Sequence, residues 1–475
     1  MSRLRFALLV FSLSITLVEI ATAQTFDLII RNGCIVDGSG NPWYVADIGI
    51  MNRTIAKIGN LSGQSALRVI DAQGRVVAPG FMDLMAGSSI PLYRDPATAE
   101  SKLRQGITTI LVGEGESVAP QNERTTRGGE GEEGVSVTAN WRTFGEFFPK
   151  LEAKGIALNV VHNVGAAQVR RYVLGDEDIA PTPEQLAQMK ELVAQAMRDG
   201  AVGLSTALIY PPGTYAKIEE IIELAKVAGE YGGVYYSHMR NESNQVLQAI
   251  DEVIRIGREA HLPVHIYHLK AAGQANWPLM TQALKKIQDA RGQGLDITAD
   301  IYPYIRNGIG LGSFIHPRHY AKGARVFLPT LSDQNLRKEL RREIETTSDW
   351  ENWYRHVGKN WDNVLITSLG RNSDPKFVGK SIKEVAVMRK VDVWQAFFDL
   401  VQAGGTGVAP KSMNEDQKKE AMRAPFIFSQ FVVCVSHTIH TLRGSVDKSL
   451  YSDFFSQASG FYRTLKIYFL SQAGL

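Results

Sequence analysis

Two histidines define the chemistry this sequence can attempt. The segment VYYSHMR closes on His238 and Arg240, and VHIYHLK closes on His268 and Lys270. Both are short apolar runs rich in β-branched and aromatic residues, so both read as buried strands that end at these positions. Residues two apart on a strand project to the same side, which sets each histidine beside a cation. A neutral imidazole is the commonest metal ligand, and two at neighbouring strand ends need only one or two carboxylates to complete a zinc site with an open position. Arg240 and Lys270 suit an anionic group on the substrate. His265 stands an odd number of residues from His268, faces the other way, and is assigned to structure.

Carboxylates at other strand ends would complete the site. In TTILVGEGES, Glu114 and Glu116 follow an apolar run on a glycine-bounded turn, and either can supply the third ligand. In DITADIYPY, Asp300 alternates in phase with Tyr302, which places a carboxylate and a phenol where substrate could meet them. Asp83 closes PGFMD in the same way. Asp300 and Asp83 are weak candidates for a general base, so the catalytic base itself stays unassigned.

These residues need a scaffold that gathers strand ends. Strands are expected at 76–83, 108–114, 158–162, 202–204, 234–239, 264–269 and 296–302. Helices are expected at 217–231, 243–261 and 278–291. A further helix starts after Thr182, with Pro183 in its first turn, Gln185 as capping-box partner, and Leu186, Met189, Val193 and Met197 on one face. Repeating units of about thirty residues are the length of βαβ crossovers. With no glycine-rich phosphate loop after the first strand, they argue for an α/β chain forming a (β/α)8 TIM-type barrel, with chemistry at the carboxyl ends of the strands. Ahead of it, 24–78 reads as a small β-sandwich module with turns at Asn32-Gly33 and Gly38-Ser39-Gly40. The barrel is expected over 79–430, with 123–140 as an insertion or lid and 431–475 as an atypical C-terminal tail.

The whole chain has 475 residues, with 52 Lys+Arg against 49 Asp+Glu, a formal charge of +3. That balance gives no electrostatic footprint for nucleic acid or an anionic membrane. Two cysteines, Cys34 and Cys434, cannot build a disulfide framework or a CxxC zinc site. Arg3 and Arg5, the apolar run that follows and Ala21-Thr22-Ala23 read as a signal peptide over 1–23. The protein is therefore expected to be exported, periplasmic or secreted, without a membrane span after cleavage.

The ordered motifs PGFMD, SKLRQGITTILVGEGESVAP, GLSTALIYPPGTYA, YYSHMRNES, HIYHLKAAG and ITADIYPY resemble those of the N-acyl-D-amino-acid deacylases (D-aminoacylases) of the amidohydrolase superfamily. The resemblance covers roughly 26–425. It implies a metal-bearing barrel beside a small β domain, and zinc-dependent hydrolysis of the amide of an N-acyl-D-amino acid to a carboxylate and a D-amino acid. Carried onto this chain, it puts zinc ligands at His238 and His268 and a third in the GEGES segment, Glu114 first and Glu116 second. It gives the substrate carboxylate to Lys270 and Tyr302, with Arg240 nearby.

The sequence departs from that pattern in three places. Met85-Ala86-Gly87 stands where the family carries a His-x-His pair, so one zinc per chain is expected. Ser429-Gln430 stands where the family carries Ser-Asp-Gly on strand eight, its aspartate being the general base. After Ser429 no strands returning to the small β domain are recognisable, as a truncated or frame-shifted gene would leave it, and His437 and His440 are at most weak ligand candidates. The expected activity is that of the deacylases. The alternatives are a catalytically impaired binding protein on the same scaffold, or another metal-dependent cyclic amidase or dipeptidase.

Overall fold

The computed structural model describes residues 25–128, 139–370 and 374–429. The expected signal segment, most of the 123–140 insertion, Gln430 and the tail with His437 and His440 lie outside the described residues. The chain divides into two units, and the described residues up to Gly80 fall in the first and those from Phe81 in the second.

In the first unit β1 (Phe26–Ile35) pairs antiparallel with β2 (Tyr44–Met51), and β2 with β3 (Thr54–Gly59). β4 (Ala66–Asp71) and β5 (Val76–Val77) run parallel to β1, giving one mixed sheet. Ile30, Ile35, Ile48, Ala72 and Val77 form one small apolar cluster, and Phe26, Ile29 and Leu61 another. Asn32-Gly33 is not the hairpin turn expected from its composition. It forms a bulge inside β1, with Asn32 at φ +56°. Asp47 and Asp71 hold it there, accepting from the Asn32 backbone and side-chain N–H groups at 2.9 Å each.

The second unit carries the parallel strands of the barrel. β6 (Phe81–Asp83), β7 (Ile107–Val112) and β8 (Asn159–His162) form one run. The other run is β9 (Val164–Gly165), β10 (Gly203–Ala207), β11 (Val234–His238), β12 (Val264–Ile266) and β13 (Ile297–Ile301). Asn163 interrupts what is otherwise one strand through β8 and β9. The single strand expected over 76–83 splits at Pro79-Gly80, where Pro removes a ladder donor, and its halves enter different units.

Helices cover the strands as the hydrophobic periodicity requires. In Val246–Ala260 the buried set Val246, Ala249, Ile250, Val253, Ile254, Gly257 and Ala260 follows the three-four spacing of one helix face. Helix Pro183–Arg198 starts at the expected capping box of Thr182 and Gln185 and buries Met189, Val193 and Met197. Among the described residues no helix is long and apolar enough to cross a membrane.

Between β13 and the last strand the chain builds a second apolar core that periodicity did not reveal. β14 (Ile309–Gly310), β15 (Val364–Ser368) and β16 (Gly407–Pro410) form a small antiparallel sheet. Phe314, Trp353, Trp361, Trp394 and Phe397 pack beside it. The chain then returns as β17 (Ile427–Ser429), which pairs parallel with β13, Asp300 opposite Phe428. The seventh barrel strand therefore has a partner even though the strand-eight motif is lost. Backbone pairing does not require the aspartate of that motif.

Candidate metal and substrate site

Three side chains from three strand ends converge in the second unit. His238 ends β11, His268 lies two residues beyond β12, and Glu114 follows β7 by two residues. Their ligand atoms all lie within 4.8 Å of one another. Glu114 Oε1 is 2.6 Å from His238 Nδ1 and 3.1 Å from His268 Nε2. Among the described residues this is the one cluster of three or more such side chains that could hold an ion. Two imidazole nitrogens and a carboxylate oxygen, with both histidines buried, make a donor set that fits zinc with one position left open.

The backbone explains why these side chains meet. Gly113 and Gly115 flank Glu114 at φ +96° and +66°. A Cβ on Gly113 would lie 2.6 Å from the Asn163 carbonyl oxygen, and one on Gly115 would lie 2.5 Å from Ala207 Cβ. Only glycine fits at either position. Ser205 in β10 pins the turn, its hydroxyl donating to the Gly113 carbonyl and accepting from the Gly115 N–H at 3.1 Å. His268 has φ +37°, a left-handed conformation uncommon for a side chain of this kind. Asp300 holds it, with Oδ1 accepting the His268 backbone N–H at 2.5 Å.

A second layer, absent from the sequence reading, centres on Glu242. Its Oε1 is 2.9 Å from His268 Nδ1, and its Oε2 is 3.6 Å from His238 Nε2. Glu114 thus faces the inner nitrogens of the two imidazoles and Glu242 the outer ones. Glu242 is buried, and Lys270 donates to it. Glu351 Oε2 accepts the Glu242 backbone N–H at 2.9 Å, tying the site to the second apolar core. The signal was in YYSHMRNES, where a carboxylate follows His238 by four residues.

The electrostatics agree with this layering. Burial works to raise the pKa of Glu114, but the hydrogen bonds and charge of His238 and His268 hold it well below the usual carboxylate range. Burial likewise opposes ionisation of Glu242, and Lys270, His238 and His268 hold it charged. Burial and the Lys270 charge favour neutral His268, yet Glu242 and Glu114 push its pKa up to about 9. Lys270 compensates Glu242, so the Glu114 carboxylate between the two imidazoles is the group left to face a metal ion.

Other expected site residues are placed differently. Glu116 Oε1 pairs with Arg171 at 2.6 Å and is not part of the cluster, so the alternative ligand role is corrected. Arg240 is not in the pocket either. Because β11 ends at His238, strand parity does not reach Arg240, whose guanidinium binds Glu252 at 2.8 Å and the carbonyls of Thr214 and Ala216. Lys270 lies 2.6 Å from His268 Nδ1, and its ammonium sits 5.8 Å from the centre of the Tyr302 ring. That ring packs edge-on to His268, with centroids 6.3 Å apart.

Neither weak base candidate is free. Asp300 spends one oxygen on the His268 backbone and the other on His265 Nε2 at 2.9 Å. Asp83 is buried and paired with Lys102 at 2.8 Å. His265 is structural as expected, held between Asp300 and Thr298.

Comparison with known proteins supports the resemblance carried by the motifs. No family model matches the chain. Over 286 residues it is 37% identical to the D-aminoacylase of Alcaligenes xylosoxydans xylosoxydans, covering 60% of this chain and 58% of that protein. Identity is also 37%, over 285 residues, to the N-acyl-D-glutamate deacylase of that organism, of which 57% is covered. The chain thus spans less than two thirds of the length of these relatives. Among solved structures it superposes on the N-acyl-D-glutamate deacylase of Bordetella bronchiseptica, complexed with zinc and a phosphonate mimic of the tetrahedral intermediate. That match has a TM-score of 0.71 at 28% identity and covers 86% of this chain and 76% of that one. A D-aminoacylase described by a binuclear metal centre with one-metal activation and second-metal attenuation matches with a TM-score of 0.69 at 27% identity, covering 85% and 75%.

Proposed function

Taking the chain as a homologue of the D-aminoacylases on the amidohydrolase barrel, we propose that it is a zinc-dependent hydrolase releasing a carboxylate and a D-amino acid from an N-acyl-D-amino acid. The convergence of Glu114, His238 and His268 within 4.8 Å at the barrel mouth carries this reading. One ion per chain is proposed, because Met85-Ala86-Gly87 offers no imidazole for a second. A bound zinc would supply Lewis acidity toward the amide carbonyl and bring the pKa of water toward ~7.

The protein's own residues do the rest. Glu242 lies 2.9 Å from His268 Nδ1 and Lys270 lies against the same nitrogen, so Nδ1 is taken up behind the site while Nε2 faces Glu114. The half-buried Tyr302 lies beside His268, in reach of a substrate carboxylate, while Lys270, 5.8 Å from its ring centre, is engaged by Glu242. The engaged oxygens of Asp300 and Asp83 exclude both as free proton acceptors. Gln430, following Ser429, cannot accept a proton as a carboxylate does. That position favours one second reading, a binding protein that keeps the metal and the ligand but turns over slowly. Export, proposed from the pattern of residues 1–23, would place either activity outside the cytoplasm.

Amine release from the D- and L-enantiomers of N-acetylmethionine, with zinc present, tests the proposal. Turnover confined to the D-form supports it, and equal turnover of both overturns it. Zinc binding with D-selective affinity but no turnover assigns the binding reading.

A further inference from the structure

The cation that resemblance gives to the substrate is already engaged. Lys270 donates to Glu242 and lies against His268 Nδ1, so its charge balances the layer behind the metal ligands. A second lysine occupies the same neighbourhood without such employment. Lys418, on helix Glu415–Ala421, is 1% exposed, and among the described residues its Nζ has no hydrogen-bond partner. It stands 4.2 Å above the centre of the Tyr302 ring. The charged groups it feels most are Lys270, Glu242 and Asp300 of the site, with Glu415 of its own helix. Its helix is fastened to the turn after His268, where the Gln417 side-chain Oε1 accepts the Ala271 backbone N–H at 3.2 Å.

Lysines are almost never fully buried without a partner, since an amine stripped of water loses its hydrogen bonds and an ammonium its solvation as well. Burial, with Lys270 close by, holds the Lys418 pKa well below its ordinary value. An entering carboxylate would supply both missing terms, a hydrogen-bond acceptor and a counter-charge. Tyr302 lies against both this amine and His268, so an acid group seated at Lys418 would be one ring away from the proposed metal ligands.

We infer that Lys418 is a carboxylate seat of the substrate pocket, engaging an acid group of the N-acyl amino acid across the face of Tyr302. The inference rests on the proposed hydrolase reading for the identity of the ligand. Its geometry rests on the unpartnered buried Nζ. Two acid groups could fill the seat, the α-carboxylate common to all such substrates or the side-chain carboxylate of an acidic one.

The zinc-loaded full chain and its Lys418→Met variant would be compared on N-acetyl-D-methionine and N-acetyl-D-glutamate, by steady-state kinetics and by calorimetric binding. Methionine is close in length and removes only the amine, so the variant should melt no lower than the parent. If it does melt lower, Lys418→Gln replaces it. A rise in KM and Kd of about 10- to 100-fold is expected, the worth of one charge-assisted hydrogen bond in a buried place. A rise for both compounds assigns the α-carboxylate, and a rise for the glutamate compound alone assigns the side chain. Unchanged KM and Kd for both, or a fall in kcat at constant KM, overturns the inference. Lys418-dependent binding without turnover would keep the seat and overturn hydrolysis. Turnover indifferent to Lys418 would do the reverse, and a parent chain that binds neither compound overturns both.

Discussion

One oxygen of Glu242 lies 2.9 Å from His268 Nδ1, the nitrogen that faces away from Glu114. The same carboxylate neutralises the buried Lys270. Glu242→Gln should therefore act twice. Metal affinity should fall about 10- to 100-fold as the two imidazoles lose the charge of the carboxylate behind them. Stability should fall by about 3–5 kcal/mol, because Lys270 is left buried with an uncompensated charge. Zinc competition with a chelator and denaturant titration would read the two effects separately.

Glu114 and Glu116 are two residues apart in one turn and differ completely in role. Glu114→Ala should abolish tight zinc binding, since it removes one of three ligands. Glu116→Gln should leave zinc binding intact, because Glu116 serves Arg171. Its cost should be about 1 kcal/mol or less, since the Glu116 side chain is 40% exposed. Metal content of the two purified variants checks the assignment, and zinc loss in Glu116→Gln would contradict it.

Gly115→Ala should damage the site without touching a ligand. The added methyl meets Ala207 at 2.5 Å from Cβ and 2.7 Å from the backbone nitrogen, at φ +66°. Strain and overpacking together should cost about 2–4 kcal/mol and shift the Glu114 carboxylate. Thermal melting and zinc affinity should both fall. A variant as stable as its parent would show that the turn can relax.

His162 gives the fold a dependence on pH that is independent of the metal. It is buried against Phe144, Phe147 and Phe148, neither ring nitrogen has a partner among the described residues, and burial lowers its pKa to about 3. In the unfolded chain it titrates near its ordinary value, 6.5. Between those values the unfolded state binds the extra proton, so this contribution to stability is complete above pH 6.5 and is lost as pH falls toward 3. The loss should approach about 1 kcal/mol per pH unit. His162→Phe should flatten that acid-side decline in a series of melts. An unchanged pH slope would place the acid sensitivity elsewhere.

Local signals found most of the frame and pointed to the side chains that converge. The helix at Thr182 was legible because its capping box and apolar face are encoded within a few turns. His238 and His268 were legible because each closes an apolar run, and Glu114 because glycine bounds it on both sides. Parity arguments failed where strands stopped. β11 ends at His238 and β12 at Ile266, so Arg240 and Glu242 are aimed by loop geometry that no alternation encodes. Lys418 and Glu351 were invisible for another reason. They reach the site from the middle and the far end of the long excursion between β13 and β17, and only the folded chain brings them there.

On the proposed reading, Glu114, His238 and His268 hold a zinc ion and the barrel is a D-selective amide hydrolase. Elemental analysis of the purified chain, run beside amine release from N-acetyl-D-methionine, decides this. Close to one zinc per chain with turnover is expected, both lost in His268→Ala. Absence of zinc, or turnover that survives His268→Ala, would contradict it.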